Sequence, residues 1–247
     1  MNQKDLSQRL ISIANMVTPG NRFADIGCDH GFLAMYLIDS GICPSGIASD
    51  LREGPLLAAR THIQNAGMAD RIKACLGDGL EAINPGEIQT IILAGMGGPL
   101  MMKILSDRPE VRDSASEIII EPQSRMIDVR SGIIEQKLCI LDEDMVFEDG
   151  KYYPVLKLAP AKKGCTFVDE SEAVLIDFTE DVREEIRMQY GTSLIYKSHS
   201  VFKDFLNFEY EVGMDVCKKL SGKGHDERHQ ALMHDLELNR MVYKLCE

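Results

Sequence analysis

"RFADIGCDHGFLAMYL", residues 22–37, is the stretch on which the fold turns. A short apolar run closes on Asp25-Ile26-Gly27, the turn Cys28-Asp29-His30-Gly31 follows, and an amphipathic run begins. Strand, glycine turn and helix in that order open an α/β unit whose ligands sit at the carboxyl ends of its strands. The turn is not G-x-G-x-x-G, so the dinucleotide fingerprint fails. That fingerprint seats a pyrophosphate against a helix N-terminus, and Asp25 and Asp29 would repel one. A ligand with a positive centre suits the two acids. S-adenosyl-L-methionine carries a sulfonium and an α-amino group and has no phosphate. The turn lets backbone approach its methionyl part, and the acids suit its cationic groups.

Outward from this stretch the pattern repeats. Residues 46–50 read as a strand ending at Asp50, and 55–66 as a helix with Pro55 in its first turn and Gly67 at its stop. Residues 72–76 form a strand leading into Gly77-Asp78-Gly79, and "TIILAGMGG" (90–98) is a buried strand running into a glycine turn. A helix over 99–105, the buried strand "EIIIEP" (117–122) and a helix over 125–137 follow. Near-continuous apolar strands alternating with helices predict a parallel sheet covered on both faces. Residues 139–160 read as two strands joined by Asp149-Gly150, a hairpin that adds antiparallel strands at one edge. Ahead of all this, Leu6, Leu10, Ile13 and Val17 predict a helix over 4–16, closed by Pro19-Gly20.

The strand pattern stops at "APAKKG" (159–164), which reads as a linker. Beyond it Phe202, Phe205, Leu206, Val212, Val216 and Leu220 recur at helical spacing, Ser221-Gly222-Lys223-Gly224 interrupts, and Leu232, Leu236, Met241, Val242 and Leu245 resume. Two helices joined by a short loop form an antiparallel pair. The expected organisation is a Rossmann-like domain over 1–160 and a linker with a C-terminal helical hairpin over 161–247.

The totals narrow the function. The net charge is −12, about −7 over residues 1–160 and −5 over 161–247, so bulk charge does not mark a nucleic-acid binder and any polyanion would need a local basic patch. No run of ~18 apolar residues is present, and the N-terminus lacks a signal-peptide pattern. Seven scattered cysteines without C-x-x-C fit reduced thiols, and a cytoplasmic protein is expected. No His/Cys cluster has metal-ligand spacing, so no metal is assigned.

Four strand ends carry glycine or acid: Asp25/Gly27, Asp50, Asp78/Gly79 and Gly95–Gly98. Together they point to one site. Asp50, 25 residues past Asp25, is placed to accept both ribose hydroxyls, and Asp78 to accept from an adenine amino group with Gly79 backbone beside it. A helix cap or turn role would also account for Asp50 and Asp78. The chain lacks the Asn-Pro-Pro-Tyr tetrad used on exocyclic amines. The glycine-lined turn at 95–98 instead suits a flat ring whose nucleophile is a ring nitrogen with an in-plane lone pair. Such a nitrogen needs no proton removed, so alignment can carry catalysis.

"LSQRL" (6–10), "ADIGCDHGFL" (24–33), "IASDLREGPL" (47–56), "LGDGL" (76–80), "ILAGMGGPLM" (92–101) and "YGTSLIYKSHSVFKDFL" (190–206) resemble the TrmK family of bacterial tRNA adenine-N1 methyltransferases. The resemblance spans nearly the whole chain. It implies a Rossmann-like class I methyltransferase domain with a coiled-coil-like C-terminal hairpin, and methylation of N1 of adenine 22 in tRNA by S-adenosyl-L-methionine. Carried over, Gly27, Asp29 and His30 match the methionyl site, with Asp25 beside them. Asp50 and Leu51 match the ribose site, and Asp78 and Gly79 the adenine site. Gly95 to Gly98 match the pocket near the transferred methyl, where Asp29, Met96 and Gly97 would line the acceptor and no general base stands out. Arg9 would close over the cofactor or meet RNA.

The sequence departs from the family at two points: Gln89 stands where an Asp is usual, and Glu121-Pro122 where Gln-Pro is common. A carboxylate at 121 would alter substrate hydrogen bonding or repel phosphate. Candidate phosphate contacts are Arg9, Arg52, Arg60, Lys103, Arg125 and Arg130, joined by Lys197, Lys203, Lys218, Lys219 and Lys223 of the hairpin. Transfer to a small molecule or a protein, and a non-catalytic RNA-binding module of the same fold, are the other readings. No DNA or membrane contact is expected, and the oligomeric state stays open.

Overall fold

The apolar run after Arg22 becomes β1 (Phe23–Ile26), the middle one of five parallel strands. It pairs in parallel with β2 (Gly46–Asp50) on one side and β4 (Thr90–Met96) on the other. Outside these lie β3 (Ile72–Leu76), parallel to β2, and β5 (Glu117–Pro122), parallel to β4. The hairpin strands β6 (Leu138–Glu148) and β7 (Lys151–Pro160) complete a seven-stranded sheet of order β3-β2-β1-β4-β5-β7-β6. The last strand in the chain, β7, is the one that pairs antiparallel to β5, leaving β6 at the edge. Asp149 and Gly150 take φ of 48° and 77°, the positive values a tight hairpin turn requires. Ala159 and Pro160, read both as the end of the hairpin and as the start of the linker, end β7. The computed structural model describes residues 6–161, 170–220 and 226–247, so residues 162–164 of that linker and the Ser221–Gly224 break lie outside the described residues.

The strands are continuous apolar runs because both faces are covered. Phe23, Ile92 and Ile119 join α1 (Gln8–Met16), α2 (Phe32–Asp39) and α3 (Glu53–Asn65) in one core. Their neighbours Ala24, Ile91, Leu93, Ile118 and Ile120 join α4 (Gly98–Asp107), α5 (Pro109–Arg112) and α6 (Met126–Glu135) in a second core on the opposite face. The period-2 alternation assigns each side chain to its layer, and each fully buried Ile or Leu is worth ~1.5–3 kcal/mol. Helix α1 starts at Gln8, inside the expected 4–16, because Ser7 caps it and accepts from Leu10 N–H at 3.4 Å. Helix α3 starts two residues earlier than expected, with Pro55 in its first turn.

The chain divides into two compact units, Met1–Cys165 and Thr166–Glu247. The second holds a 3-10 turn (Glu170–Leu175), α7 (Glu180–Gln189), α8 (Ser193–Tyr196), α9 (Ser200–Leu220) and α10 (Asp226–Leu245). Helices α9 and α10 run antiparallel. Leu206 O accepts from Asn239 Nδ2 at 3.1 Å, and a Cβ on Gly213 would stand 2.6 Å from Leu236 Cδ2, so a glycine is what allows the close crossing. Helix α7 buries only Ile186 and leaves no apolar stripe to read in the sequence. Among the described residues no helix is long and apolar enough to cross a membrane.

Candidate active site

Three loops meet at the carboxyl end of the parallel strands, and Asp50 ties them together. Its Oδ2 accepts from Asp29 N–H at 3.3 Å, in the β1–α2 turn. Its Oδ1 accepts from Arg52 N–H at 2.8 Å, ahead of α3, and its backbone O accepts from Gly77 N–H at 3.1 Å, after β3. Gly27 and Cys28 donate to Ser49 O at 2.8 and 3.0 Å, which fixes the first turn against β2. That turn needs positive φ at Gly27 (73°), Asp29 (50°) and Gly31 (73°). A Cβ on Gly27 would stand 2.4 Å from Met96 Cε, so the first and fourth strand tips touch.

The convergence encloses a cavity of about 540 Å³. Asp25 and Asp50, both buried, face it together with the exposed Asp29 and Asp78. The Asp25 carboxyl makes no hydrogen bond to another described residue. Burial, and then the charge of Asp50, pushes its pKa up to about 7. A cation arriving in the cavity would stabilise its ionised form. Cys28, on the same wall, is no nucleophile: burial and the negative field of Asp25 push its thiol well above the usual range.

The far wall comes from β4, β5 and α1. Glu121, fully buried at the end of β5, accepts through Oε2 from Arg9 Nη1 at 2.8 Å and Gly95 N–H at 2.7 Å. Burial pushes its carboxyl up, against the downward pull of Arg9. Arg9 also lies over the Tyr153 ring, 5.3 Å from its centroid. Helix α1 is pinned by Gln8 N–H to Glu148 Oε1 at 2.6 Å, a carboxylate at a helix N-terminus. Glu121 therefore neither projects into solvent nor meets phosphate. It neutralises the arginine that reaches into the cavity.

The structure brings Arg9, Asp25, Gly27, Asp29, His30, Asp50, Leu51, Asp78, Gly79, Gly95 and Met96 to this one cavity. Gly97 is not among the residues lining the cavity; it is the N-cap of α4 with φ −67°, and a Cβ there would meet only Ser124 Oγ at 3.4 Å. Gln89 lies at the opposite end of β4 from the cavity, where its Oε1 accepts from Arg22 N–H at 3.1 Å, so that departure does not touch the site. Arg130 is buried against Glu143 and is not a phosphate contact. Lys103 and Arg125 pair with Asp107 and Asp128, while the Arg52 side chain stays largely exposed. Lys223 lies outside the described residues. The sequence reading missed Phe32, Leu100 and Gln123, which also line the cavity. Gln123 had a signal, since it directly follows the "EIIIEP" strand end.

The arrangement gathers four acids around one cavity whose far wall includes the bare backbone of Gly95, a setting suited to a cationic, phosphate-free ligand. A family described as "Methyltransferase domain" matches residues 6–156. The chain is 34% identical over 156 residues to the tRNA (adenine(22)-N(1))-methyltransferase of Bacillus subtilis, a match spanning 63% of this chain and 66% of that one, just under two thirds of the relative. The crystal structure of the B. subtilis M1A22 tRNA methyltransferase TrmK superposes with a TM-score of 0.80 at 26% identity, over 96% of this chain and 98% of that one. M. capricolum TrmK, solved with S-adenosyl-homocysteine, shares the fold, with a TM-score of 0.79 at 20% identity over 98% and 99% of the two chains.

Proposed function

We propose that the chain, which belongs to the methyltransferase-domain family, acts as the TrmK proteins do and transfers a methyl group from S-adenosyl-L-methionine to N1 of adenine 22 in tRNA. The observation that carries this reading is the buried, unpartnered carboxyl of Asp25 next to Asp50 where the strand tips converge. A sulfonium and an ammonium relieve that excess of negative charge, and a pyrophosphate would worsen it. The activity of the B. subtilis relative and the fold shared with TrmK support the acceptor.

When bound, the donor supplies a methyl group on a positively charged sulfur. The residues of the chain hold and orient. Asp25 and Asp29 face the cationic methionyl end, with His30 at the rim. Asp50, with Leu51 beside it, accepts the ribose hydroxyls through the lone pairs its two backbone donors leave free. Asp78 and Gly79 meet the adenine. Arg9, fixed by Glu121, closes the cavity from the α1 side. Gly95 and Met96 form the acceptor's floor and wall. The N1 lone pair of adenine is in the ring plane and needs no base. Catalysis then rests on proximity and alignment, which supply up to ~7–11 kcal/mol.

In this reading residues 1–160 perform the chemistry, and residues 161–247, with Lys197, Lys203, Lys218 and Lys219, offer contacts to RNA. With a net charge of −12 the RNA contact is local and weakens steeply with salt. Incubation with methyl-labelled donor and unmodified total tRNA, followed by nucleoside mapping, tests the proposal. Label in 1-methyladenosine at position 22 is expected. Folded, donor-binding protein that labels no tRNA, or another nucleoside, would falsify it.

A further inference from the structure

We infer that Gln123 reads the acceptor base, its side-chain amide pairing with the N6 amino group and N7 of adenine so that N1 is turned toward the methyl donor. This rests on the adenine-N1 reading above.

Gln123 follows directly on β5, and its backbone is fixed. Its N–H donates to Met96 O at 2.9 Å, and the next residue's carbonyl, Ser124 O, accepts from Gly98 N–H at 3.2 Å. The residue is therefore anchored to the strand tip and glycine turn that floor the acceptor space. Its side chain lines the cavity, with Nε2 only 3.8 Å from where a Cβ on Gly95 would stand. Arg9 Nη1 comes within 3.5 Å of the same point, but it is bound to Glu121. The Gln123 amide makes no hydrogen bond to another described residue, so it is the uncommitted polar side chain over that bare Cα.

A carboxamide presents one donor and one acceptor side by side. Adenine matches that pair on two edges, N6–H with N7 and N6–H with N1. Pairing through N1 would occupy the atom that must attack, so the N7 edge is the one compatible with transfer. Guanine offers two acceptors, O6 and N7, on that edge and leaves the carboxamide oxygen without a donor. The same contact that aims N1 thus selects the base. Met96 and Leu100, on the same cavity, supply apolar surface for the ring.

The test is a two-by-two comparison of kcat/KM: wild type and Gln123→Met, each on a tRNA transcript carrying adenosine or 7-deazaadenosine at the methylated position. Gln123→Met keeps the side-chain volume, and donor affinity measured by calorimetry reports on the rest of the site. Gln123→Met is expected to lose on the order of 10- to 100-fold on the adenosine transcript, as for a bidentate base contact, with donor affinity unchanged within about twofold. The 7-deaza transcript is expected to slow the wild type about tenfold, as for one lost hydrogen bond, and to slow the variant little further. An undiminished 7-deaza penalty in Gln123→Met, a variant as fast as wild type, or a parallel fall in donor affinity overturns the assignment. If wild-type protein leaves the adenosine transcript unmethylated, the adenine-N1 reading falls, and this inference with it. If wild type methylates and the two losses simply add, only the inference falls.

Discussion

Two buried carboxylates at opposite ends of one sheet show how the same residue class is put to different uses. Glu117 opens β5 at the amino ends of the parallel strands. It accepts from Thr18 N–H and Oγ1 at 2.9 and 2.5 Å, Thr90 Oγ1 at 2.7 Å and Asn21 Nδ2 at 3.2 Å, and it pairs with Lys157 Nζ at 2.8 Å. Burial alone would raise its pKa, but Lys157, Thr18 and Thr90 overcome that and hold it below the usual carboxylate range. Asp25, near the carboxyl end of β1, is equally buried, has no such partners and is pushed up to about 7. One carboxylate is satisfied by the fold and stabilises it. The other is left for a ligand, and the fold carries the cost.

The strongest way to break this comparison is to remove each acid. Glu117→Ala takes the carboxylate from Lys157 and from four hydrogen-bond donors on Thr18, Thr90 and Asn21, and should destabilise the protein by ~3–5 kcal/mol in urea unfolding. Activity per folded molecule should stay near wild type. A loss below 1 kcal/mol would mean the network is solvated and the contrast false.

Asp25→Asn should act in the opposite direction on stability. The native pKa of Asp25 lies above its usual 3.8, so between the two values the native chain holds a proton that the unfolded chain has released. Wild-type stability therefore falls as pH rises from about 4 to about 7 and is level above. The variant escapes that fall, and should gain on the order of 2–4 kcal/mol over wild type at pH 8 and little at pH 4. Its donor affinity should drop at least tenfold at pH 8. In wild type the donor should bind more weakly as pH drops below about 7, and the variant's profile should be flat. A wild-type profile flat from pH 5 to 8 would remove Asp25 from the cation site.

Asp50→Ala sharpens the contrast from within the site, because this acid is shared between fold and ligand. Donor affinity should weaken by ~1.5–3 kcal/mol, the range for hydrogen bonds to a charged group. Loss of the Asp29 and Arg52 bonds should also raise hydrogen exchange in the two turns. Calorimetry showing unchanged affinity would leave Asp50 a purely structural tie. The smallest effect is expected at Gly97→Ala, where a Cβ meets only Ser124 Oγ and φ is negative. Stability and donor affinity should move by less than ~0.5 kcal/mol. A large loss of transfer would return Gly97 to the acceptor wall.

Much of the fold was legible because its signals are local. Apolar runs bounded by glycine and acid gave β1, β2, β4 and β5, and Asp149-Gly150 gave the β6–β7 turn. Helix α7 was not legible, since a helix that buries one side chain leaves no period. The strand tips at 27, 50, 78 and 95 were readable as one site because open α/β sheets bind there. The place of Gly97 was not legible, because a glycine beside a site looks the same whether it faces the ligand or starts the next helix.

What the sequence alone determined is which chemistry the chain can offer: a parallel sheet, glycine turns and acids at its strand tips suited to a cation. That follows from period, propensity and charge, which belong to neighbouring residues. What only the tertiary structure decided is which groups remain unspent. Glu121 and Arg9 are 112 positions apart and cancel one another, β7 and not β6 lies against β5, and Asp25 and Gln123 keep their polar atoms free. A hydrogen bond is settled by distance in space, so no pattern along the chain could tell the satisfied carboxylate at 117 from the waiting one at 25.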